Sequence, residues 1–489
     1  MKKQQLRFLK RLVETPSATG SEERVAELVR ARFSEVADWV ETDTMGSVHA
    51  TLDGQGSGPT LMLSAHMDEV GLMVTYISDE GFLSVAAIGG VDAAILPGMR
   101  MDIHAAGATI RGVVGRKPIH LIEPDDRKSI TPLDKLVIDT GLSPDEVKSR
   151  IHVGDPITYG VGFERFGHGL AVSRGFDDKV GVFVTCRVME ELATAGRSKG
   201  DFTAAITVQE EIGTRGAITS AHSIDPDVAL AFDVTHATDY PGIDKTKYGD
   251  IKLGAGPVIA RGPNINPVVF ERLVAAAEAE SIPYQLEAEP GVTGTDARAI
   301  QVARDGIPTG LISIPLRYMH TPTEVISLSD IQHAVRLIAR FALDMEEEPH
   351  FVPGIDGTAP RSFLRAEGDP YIPKNASDDN ELDALLVALE QEEALEQAAH
   401  DDLLHDDPLE AEEPEHSVEY TAEMKELIAR TEEAKQQTQE RMAANAHATM
   451  PAQASTSPTS IPDMGGIHEV ETGNTGALMP EDNILRPRF

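Results

Sequence analysis

The sequence predicts an α/β protein: a mostly parallel β-sheet with helices on both faces, interrupted by an inserted β-rich segment and followed by an acidic tail. Three observations carry this reading. Apolar runs of strand length over 60–64, 204–208, 228–232 and 309–314 alternate with segments of helical period, the pattern of βα units. Between about residues 70 and 165 helical periods become few, and glycines such as Gly89, Gly90, Gly107 and Gly112 punctuate Val/Ile-rich stretches. Beyond residue 346 acid, alanine and glutamine dominate, and the last residues are rich in Ser, Thr, Pro and Gly. The predicted organisation is an α/β body in two parts, 1–69 and 166–346, an insert over 70–165, and a largely disordered tail over 347–489.

The chain opens on residues 1–16, where Leu6, Leu9, Leu12 and Val13 recur at the spacing of one helix face. The polar break Thr15-Pro16-Ser17-Ala18-Thr19-Gly20-Ser21 precedes a second helix carrying Val25, Leu28, Val29 and Phe33. Thr19 with Glu22, or Ser21 alone, is its expected cap. Short strands follow near Val40 and over 48–52, separated by Met45-Gly46. A buried strand over 60–64 then delivers Ala65-His66-Met67-Asp68-Glu69-Val70-Gly71 at its end. After the insert, the turn Ser173-Arg174-Gly175-Phe176-Asp177-Asp178 leads into a helix over 179–195. A strand ending at Glu210, a helix near 214–222 and a strand over 228–232 ending in Asp233 come next. A helix over 267–280, strands near 284–287 and 309–314, and a last helix over 329–345 complete the body. Two windows of the tail, 381–398 and 418–446, keep helical spacing within a stretch too charged to build a core.

Composition narrows the function classes. At 489 residues the chain holds two or three domains with ample core. Net charge is −37, and residues 350–489 alone carry 30 Asp+Glu against 9 Lys+Arg. Such a surface repels phosphate backbones, which argues against nucleic acid as a partner. No run reaches the roughly 20 apolar residues of a membrane span. The first residues alternate charge with apolar side chains and form no signal-peptide core. Cys186, the single cysteine, lies in an apolar run and is expected to pack, which suits a reducing compartment. A cytoplasmic protein without a membrane partner is the expectation.

Ligands of open α/β sheets bind at the carboxyl ends of the strands, so the chemistry is sought there. Those ends supply His66 with Asp68, Glu210 with Glu211, and Asp233; the loop Arg317-Tyr318-Met319-His320 adds His320, and the turn before the 179–195 helix adds Asp177 and Asp178. Successive side chains at a strand end point in different directions, so Glu210 and Glu211 suit two roles. One carboxylate can bind a metal while its neighbour accepts a proton from water. Taken singly, a Glu-Glu pair reads as a solvated strand end, a lone histidine as structural, and Asp177-Asp178 as a helix cap. Gathered at one sheet edge, two imidazoles and several carboxylates suit a pair of divalent cations, zinc by default, with cobalt or manganese as alternatives. Metal-bound imidazole usually gives its second N–H to a carboxylate, and Asp68 stands near His66 for that purpose.

The ordered set Ser64-Ala65-His66-Met67-Asp68-Glu69-Val70-Gly71, Gly175-Phe176-Asp177-Asp178-Lys179-Val180-Gly181, Gln209-Glu210-Glu211-Ile212-Gly213-Thr214-Arg215-Gly216-Ala217, Asp233-Val234 and Arg317-Tyr318-Met319-His320 resembles the tetrahedral (TET) aminopeptidases. That family includes glutamyl and deblocking aminopeptidases. Lys117-Pro118-Ile119-His120-Leu121 and Gly294-Thr295-Asp296-Ala297 also look like family stretches, and the resemblance covers about residues 5–345. It implies that the α/β body is catalytic, that two divalent metal ions sit in each subunit, and that Asp177 bridges them. His66 and Asp233 complete one ion in this reading, Glu211 and His320 the other, with Glu210 as general base and Asp68 supporting His66. It further implies short peptide substrates and homo-oligomers built from dimers through the insert, up to a dodecamer. Lys179 departs from the family, where arginine is commoner at that position. The acidic tail departs further, and an unknown partner for it is a separate expectation.

Two other enzyme classes compete with an aminopeptidase. A carboxypeptidase or an N-acyl amino acid deacylase would use the same two-metal chemistry, while a glycosidase would use two carboxylates but have no need of His66 and His320. A scaffold protein acting through the acidic tail is the reading from outside enzymology.

Overall fold

The computed structural model describes residues 1–56, 58–123 and 129–353. Two helices open it, α1 (Lys3–Glu14) and α2 (Glu23–Phe33), and their apolar stripes bury Leu6, Leu9, Leu12 and Val13, then Val25, Val29 and Phe33. Helix α2 starts after Glu22 without a side-chain cap. The expected Thr19 cap is not made: the cap position is Glu22, three residues later, and the Thr19 hydroxyl donates to Asp68 Oδ2 at 2.9 Å. Strands β1 (Trp39–Thr42), β2 (Val48–Leu52) and β3 (Leu61–His66) follow.

The insert contributes β4 (Gly71–Ile77), β5 (Leu83–Ile88), β6 (Arg100–Ala105), β7 (Ala108–Gly115), β8 (Val137–Asp139), helix α3 (Pro144–Arg150) and β9 (Pro156–Tyr159). Its six strands close into an antiparallel barrel of order β4-β5-β8-β7-β6-β9. Alternation turns Leu72, Val74, Ile103, Ile138 and Ile157 into a core separate from that of the body. Sequence period did not reveal α3, which is short but carries its own start signal: Ser143 and Glu146 form a reciprocal capping box around Pro144.

The body resumes with β10 (Glu164–Phe166), β11 (Leu170–Ser173), α4 (Phe176–Ala195), β12 (Phe202–Thr207), α5 (Arg215–Ile224), β13 (Val228–His236) and α6 (Lys245–Tyr248). It ends with β14 (Val258–Arg261), α7 (Pro267–Ala279), β15 (Gln285–Ala288), α8 (Ala297–Ile300), β16 (Thr309–Leu316), β17 (Glu324–Ser327) and α9 (Leu328–Leu343). Strands β10, β11 and β17 form a small antiparallel sheet.

Eight strands make the large sheet, in the order β1-β2-β12-β3-β13-β16-β14-β15. Its centre, β12-β3-β13-β16, is parallel and buried except for His236 at the end of β13, as the unbroken apolar runs require. The flanks are antiparallel where β1 meets β2, β2 meets β12 and β14 meets β16. The sheet is therefore mixed, with four of its seven strand pairings parallel, in keeping with the mostly parallel expectation. Strands β1 and β2 are joined by a tight turn, too short for the crossover that parallel pairing needs. Helix α4 covers β3, β12 and β13 beside α1, α2 and α9, with α7 against α9, while α5 and α8 pack together over β12 and β16.

Two limits of the body shift by a few residues from the sequence expectation. Strand β10 begins at Glu164, ahead of residue 166. At the other end Phe351 is buried against the core, its carbonyl accepting from Asn266 Nδ2 at 2.9 Å, so packing continues past residue 346. The tail from 354 onward, with both helical windows, lies outside the described residues. Among the described residues no helix is long and apolar enough to cross a membrane. Cys186 is buried on α4, as expected of a packing thiol.

Candidate metal centre and active site

Each sequence-predicted site residue stands at the carboxyl edge of the parallel centre. His66 is the last residue of β3, and Glu210 and Glu211 follow β12 by a short turn. His320 lies between β16 and β17. Asp233 is inside β13 and not at its end. Ala231 is level with Ser64 in the register, so two residues further along Asp233 comes level with His66. Asp177 opens α4 after Gly175, whose φ of 65° favours glycine; the Asp177–Asp178 peptide is cis.

These side chains converge. His66 Nε2 is 3.1 Å from Asp177 Oδ1 and 3.9 Å from Asp233 Oδ1. His320 Nε2 is 3.2 Å from Asp177 Oδ2 and 3.3 Å from Glu211 Oε1. The two oxygens of Asp177 thus face two different imidazoles. Ligand atoms of His66, Asp177 and Glu211, and of His66, Asp178 and Asp233, lie within 4.8 Å of one another. His66, Asp177, Glu211, Asp233 and His320 border a cavity of about 210 Å³ that Glu210 also lines.

The surroundings orient these groups. His66 Nδ1 is 3.1 Å from the Asp68 carbonyl and 3.4 Å from Asp68 Oδ1. The Asp68 carboxylate also accepts from the backbone N–H groups of Glu210 at 3.0 Å and Glu211 at 3.2 Å, as well as from Thr19. One buried carboxylate therefore positions both the imidazole and the Glu210-Glu211 turn. Gln209 before that turn has a positive φ, as does His320. His320 Nδ1 is 3.1 Å from the Gly90 carbonyl, so the barrel reaches the centre through the Gly89-Gly90 loop. A Cβ at Gly90 would stand 2.9 Å from that same nitrogen.

Several contributors escaped sequence reasoning. Glu324 accepts from the N–H groups of Phe176, Asp177 and His320, at 2.8, 3.3 and 3.0 Å. It thereby ties the start of α4 to the His320 loop. Asp296 accepts from Ser64 and Thr207 hydroxyls, both at 2.7 Å, on the strands that deliver His66 and Glu210. Both acids stand within or beside stretches the sequence singles out, yet nothing local tells a buried acid from an exposed one.

Behind the centre Glu69 is buried with Arg174 at 2.5 Å and Lys179 at 2.7 Å, and Lys179 also donates to the Thr15 carbonyl at 2.8 Å. Burial raises the Glu69 carboxyl, but the two cations outweigh it and hold it at about 2. Its stabilising contribution is therefore present above the ordinary carboxylate range and is lost as pH falls toward about 2. Lys179→Ala removes one partner of a fully buried group and is expected to cost about 3–5 kcal/mol, read as a fall in the thermal midpoint.

The donor set calls for cations. Burial pushes Asp178 and Asp233 well above the carboxylate range, and it lifts Glu210 to about 10, with Asp233, Asp296 and Glu211 adding to it against His66. Burial lowers His320, but Asp177 and Glu211 overcome this and raise it to about 11. Like charges crowded out of water are costly unless a cation joins them. Glu211 Oε1 is buried without a hydrogen bond, as a metal ligand would be. Two imidazoles with carboxylates can hold a metal ion of the zinc type.

The model of the family described as M42 glutamyl aminopeptidase matches residues 46–337. A lysyl aminopeptidase of Pyrococcus furiosus is 34% identical over 350 residues, covering 71% of this chain and 99% of the relative. The structure of aminopeptidase APDkam598 from the archaeon Desulfurococcus kamchatkensis is 37% identical, with TM-score 0.66 over 70% of this chain and 96% of that one. The Pyrococcus horikoshii TET1 peptidase, which can assemble into a tetrahedron or a large octahedral shell, is 31% identical, with TM-score 0.63 over 70% and 100%. Sequence, fold and cluster agree: the chain belongs to the M42 glutamyl aminopeptidase family, metal-dependent peptide hydrolases of the aminopeptidase class.

Proposed function

We propose that two divalent ions are held around Asp177 and that the protein uses them to remove N-terminal residues from short peptides, with Glu210 as general base. The observation that carries this is the pair of imidazoles facing opposite oxygens of Asp177, 3.1 and 3.2 Å away. His66 and Asp233 would hold one ion, Glu211 and His320 the other. Asp178 is the less suitable bridge, because its oxygens already accept from the N–H groups of His66 at 3.3 Å and Gly181 at 3.1 Å. Zinc fits this donor set, and cobalt and manganese are alternatives.

When bound, such ions polarise the scissile carbonyl and make water acidic enough to attack at neutral pH. Glu210 accepts the proton of the attacking water and returns it to the leaving amine. Asp68 keeps that glutamate in place through its backbone N–H and keeps the His66 ring from turning. Glu324 holds Asp177 and His320 in register through their N–H groups.

We also propose a cytoplasmic homo-oligomer. Its support is the assembly described for the TET1 relative, together with apolar side chains left exposed on the insert, among them Ile119, Leu121, Ile130 and Val113. Relatives include lysyl and glutamyl aminopeptidases, so membership alone does not choose the side chain cleaved. The function is tested by metal analysis and a panel of free and N-acylated peptides. Two ions per subunit, cleavage only of free N-termini, and loss on chelation reversed by zinc, cobalt or manganese are expected. Cleavage from the carboxyl end, or preference for acylated substrates, would replace the proposal with a carboxypeptidase or a deacylase.

A further inference from the structure

The cavity beside the candidate metal centre has a second acidic wall to which the reaction assigns no role. Glu287 on β15 and Glu289 just beyond it both line this cavity. They are two residues apart in extended chain, so they share a face. The parallel ladder continues past the strand, with Glu289 N–H donating to the Arg261 carbonyl at 2.9 Å, which fixes the second glutamate beside the first. Glu287 is also tied to the centre, since its Oε1 accepts from Thr235 Oγ1 at 2.8 Å and Thr235 follows Asp233 by two residues on β13. Two strand residues span about 6.6 Å, a distance an extended lysine or arginine side chain covers.

Both carboxylates are half-buried, and among the described residues neither has an ion-pair partner. Burial pushes both carboxyls up, and Glu289 raises Glu287 further. A cavity that combines the centre for peptide hydrolysis with two uncompensated acids lacks a positive charge on its far wall. We propose that Glu287 and Glu289 form the subsite for the side chain of the N-terminal residue and select lysine or arginine there. This rests on the aminopeptidase reading. With the scissile carbonyl at the metal centre, the first side chain has this cavity to enter. An acidic side chain would meet two like charges, and an aliphatic one would strip water from both carboxylates without replacing it. A basic side chain satisfies them.

The test measures kcat/KM of the metal-loaded, full-length protein on Lys-, Arg-, Leu- and Glu-nitroanilides. It is repeated for Glu287→Gln, Glu289→Gln and the double variant. The natural sequence is expected to favour Lys and Arg over Leu by at least about tenfold, with Glu poorest. In the double variant the Lys:Leu ratio should fall on the order of 10- to 100-fold. Glu289→Gln leaves the Thr235 hydrogen bond untouched and is expected to give part of that fall, which separates selectivity from misfolding. Preference of the natural sequence for Leu or Glu would overturn the subsite while leaving the aminopeptidase standing. So would an equal loss on all four substrates in the variants, the mark of a group that binds the shared α-ammonium. Hydrolysis of none of the four would sink the aminopeptidase reading and the subsite with it.

Discussion

Glu210→Gln is expected to lower kcat by about 10²- to 10⁴-fold while the protein keeps its metal and its thermal midpoint. The amide has the same shape, and the hydrogen bond that positions residue 210 comes from its backbone N–H to Asp68, so geometry is preserved. What disappears is a carboxylate able to take and return a proton. The residue is only 9% exposed, so bulk water is poorly placed to take its role. Metal analysis alongside single-turnover kinetics checks this. A variant that turns over normally would remove Glu210 from the mechanism. One that loses its ions would instead make it a ligand.

Asp177→Asn is expected to have the largest effect on metal binding, reducing two ions per subunit to one or none and abolishing activity. Its two oxygens are the carboxylate atoms nearest the Nε2 of each imidazole, and among the described residues no other carboxylate pairs with both. An amide retains one oxygen and so can serve at most one side of a bridge. A ligand at about 1,000 times its Kd stabilises the folded protein by about 4 kcal/mol. The rise in thermal midpoint on adding zinc should therefore shrink strongly in the variant. Retention of two ions would show that Asp178 or Asp233 does the bridging, and the ligand assignment would have to be redrawn around the other triplet.

Much of the candidate site was legible because its residues are concentrated where strands end. His66, Asp68, Glu210, Glu211 and His320 each follow an apolar run closely, and the rule that ligands gather at the carboxyl ends of parallel strands assembles them without coordinates. Asp233 was expected at the end of its strand; β13 instead runs on to His236, because its last residues still pair with β16. Glu324 and Asp296 could not be read, since Glu324 joins Phe176 and Asp177 to the nearby His320 and Asp296 holds Ser64 and Thr207, partners mostly distant in sequence. Thr19 looked like a helix cap and is a partner of Asp68. The hydroxyl chose the buried carboxylate, and only the packing of the first loop against β3 brings that acceptor within reach.

The amino-acid sequence by itself determined most of the elements that form, that a β-rich unit interrupts the α/β body, and which residues are candidates for the chemistry. These follow from periodicity and residue type, which are local. Only the tertiary structure decided that the sheet's flanks run antiparallel, that Asp177 stands between two imidazoles, and that Glu287 and Glu289 face the same cavity. Strand order and side-chain distance depend on how segments far apart in the chain pack together, and a buried carboxylate's charge depends on which cations that packing brings near it.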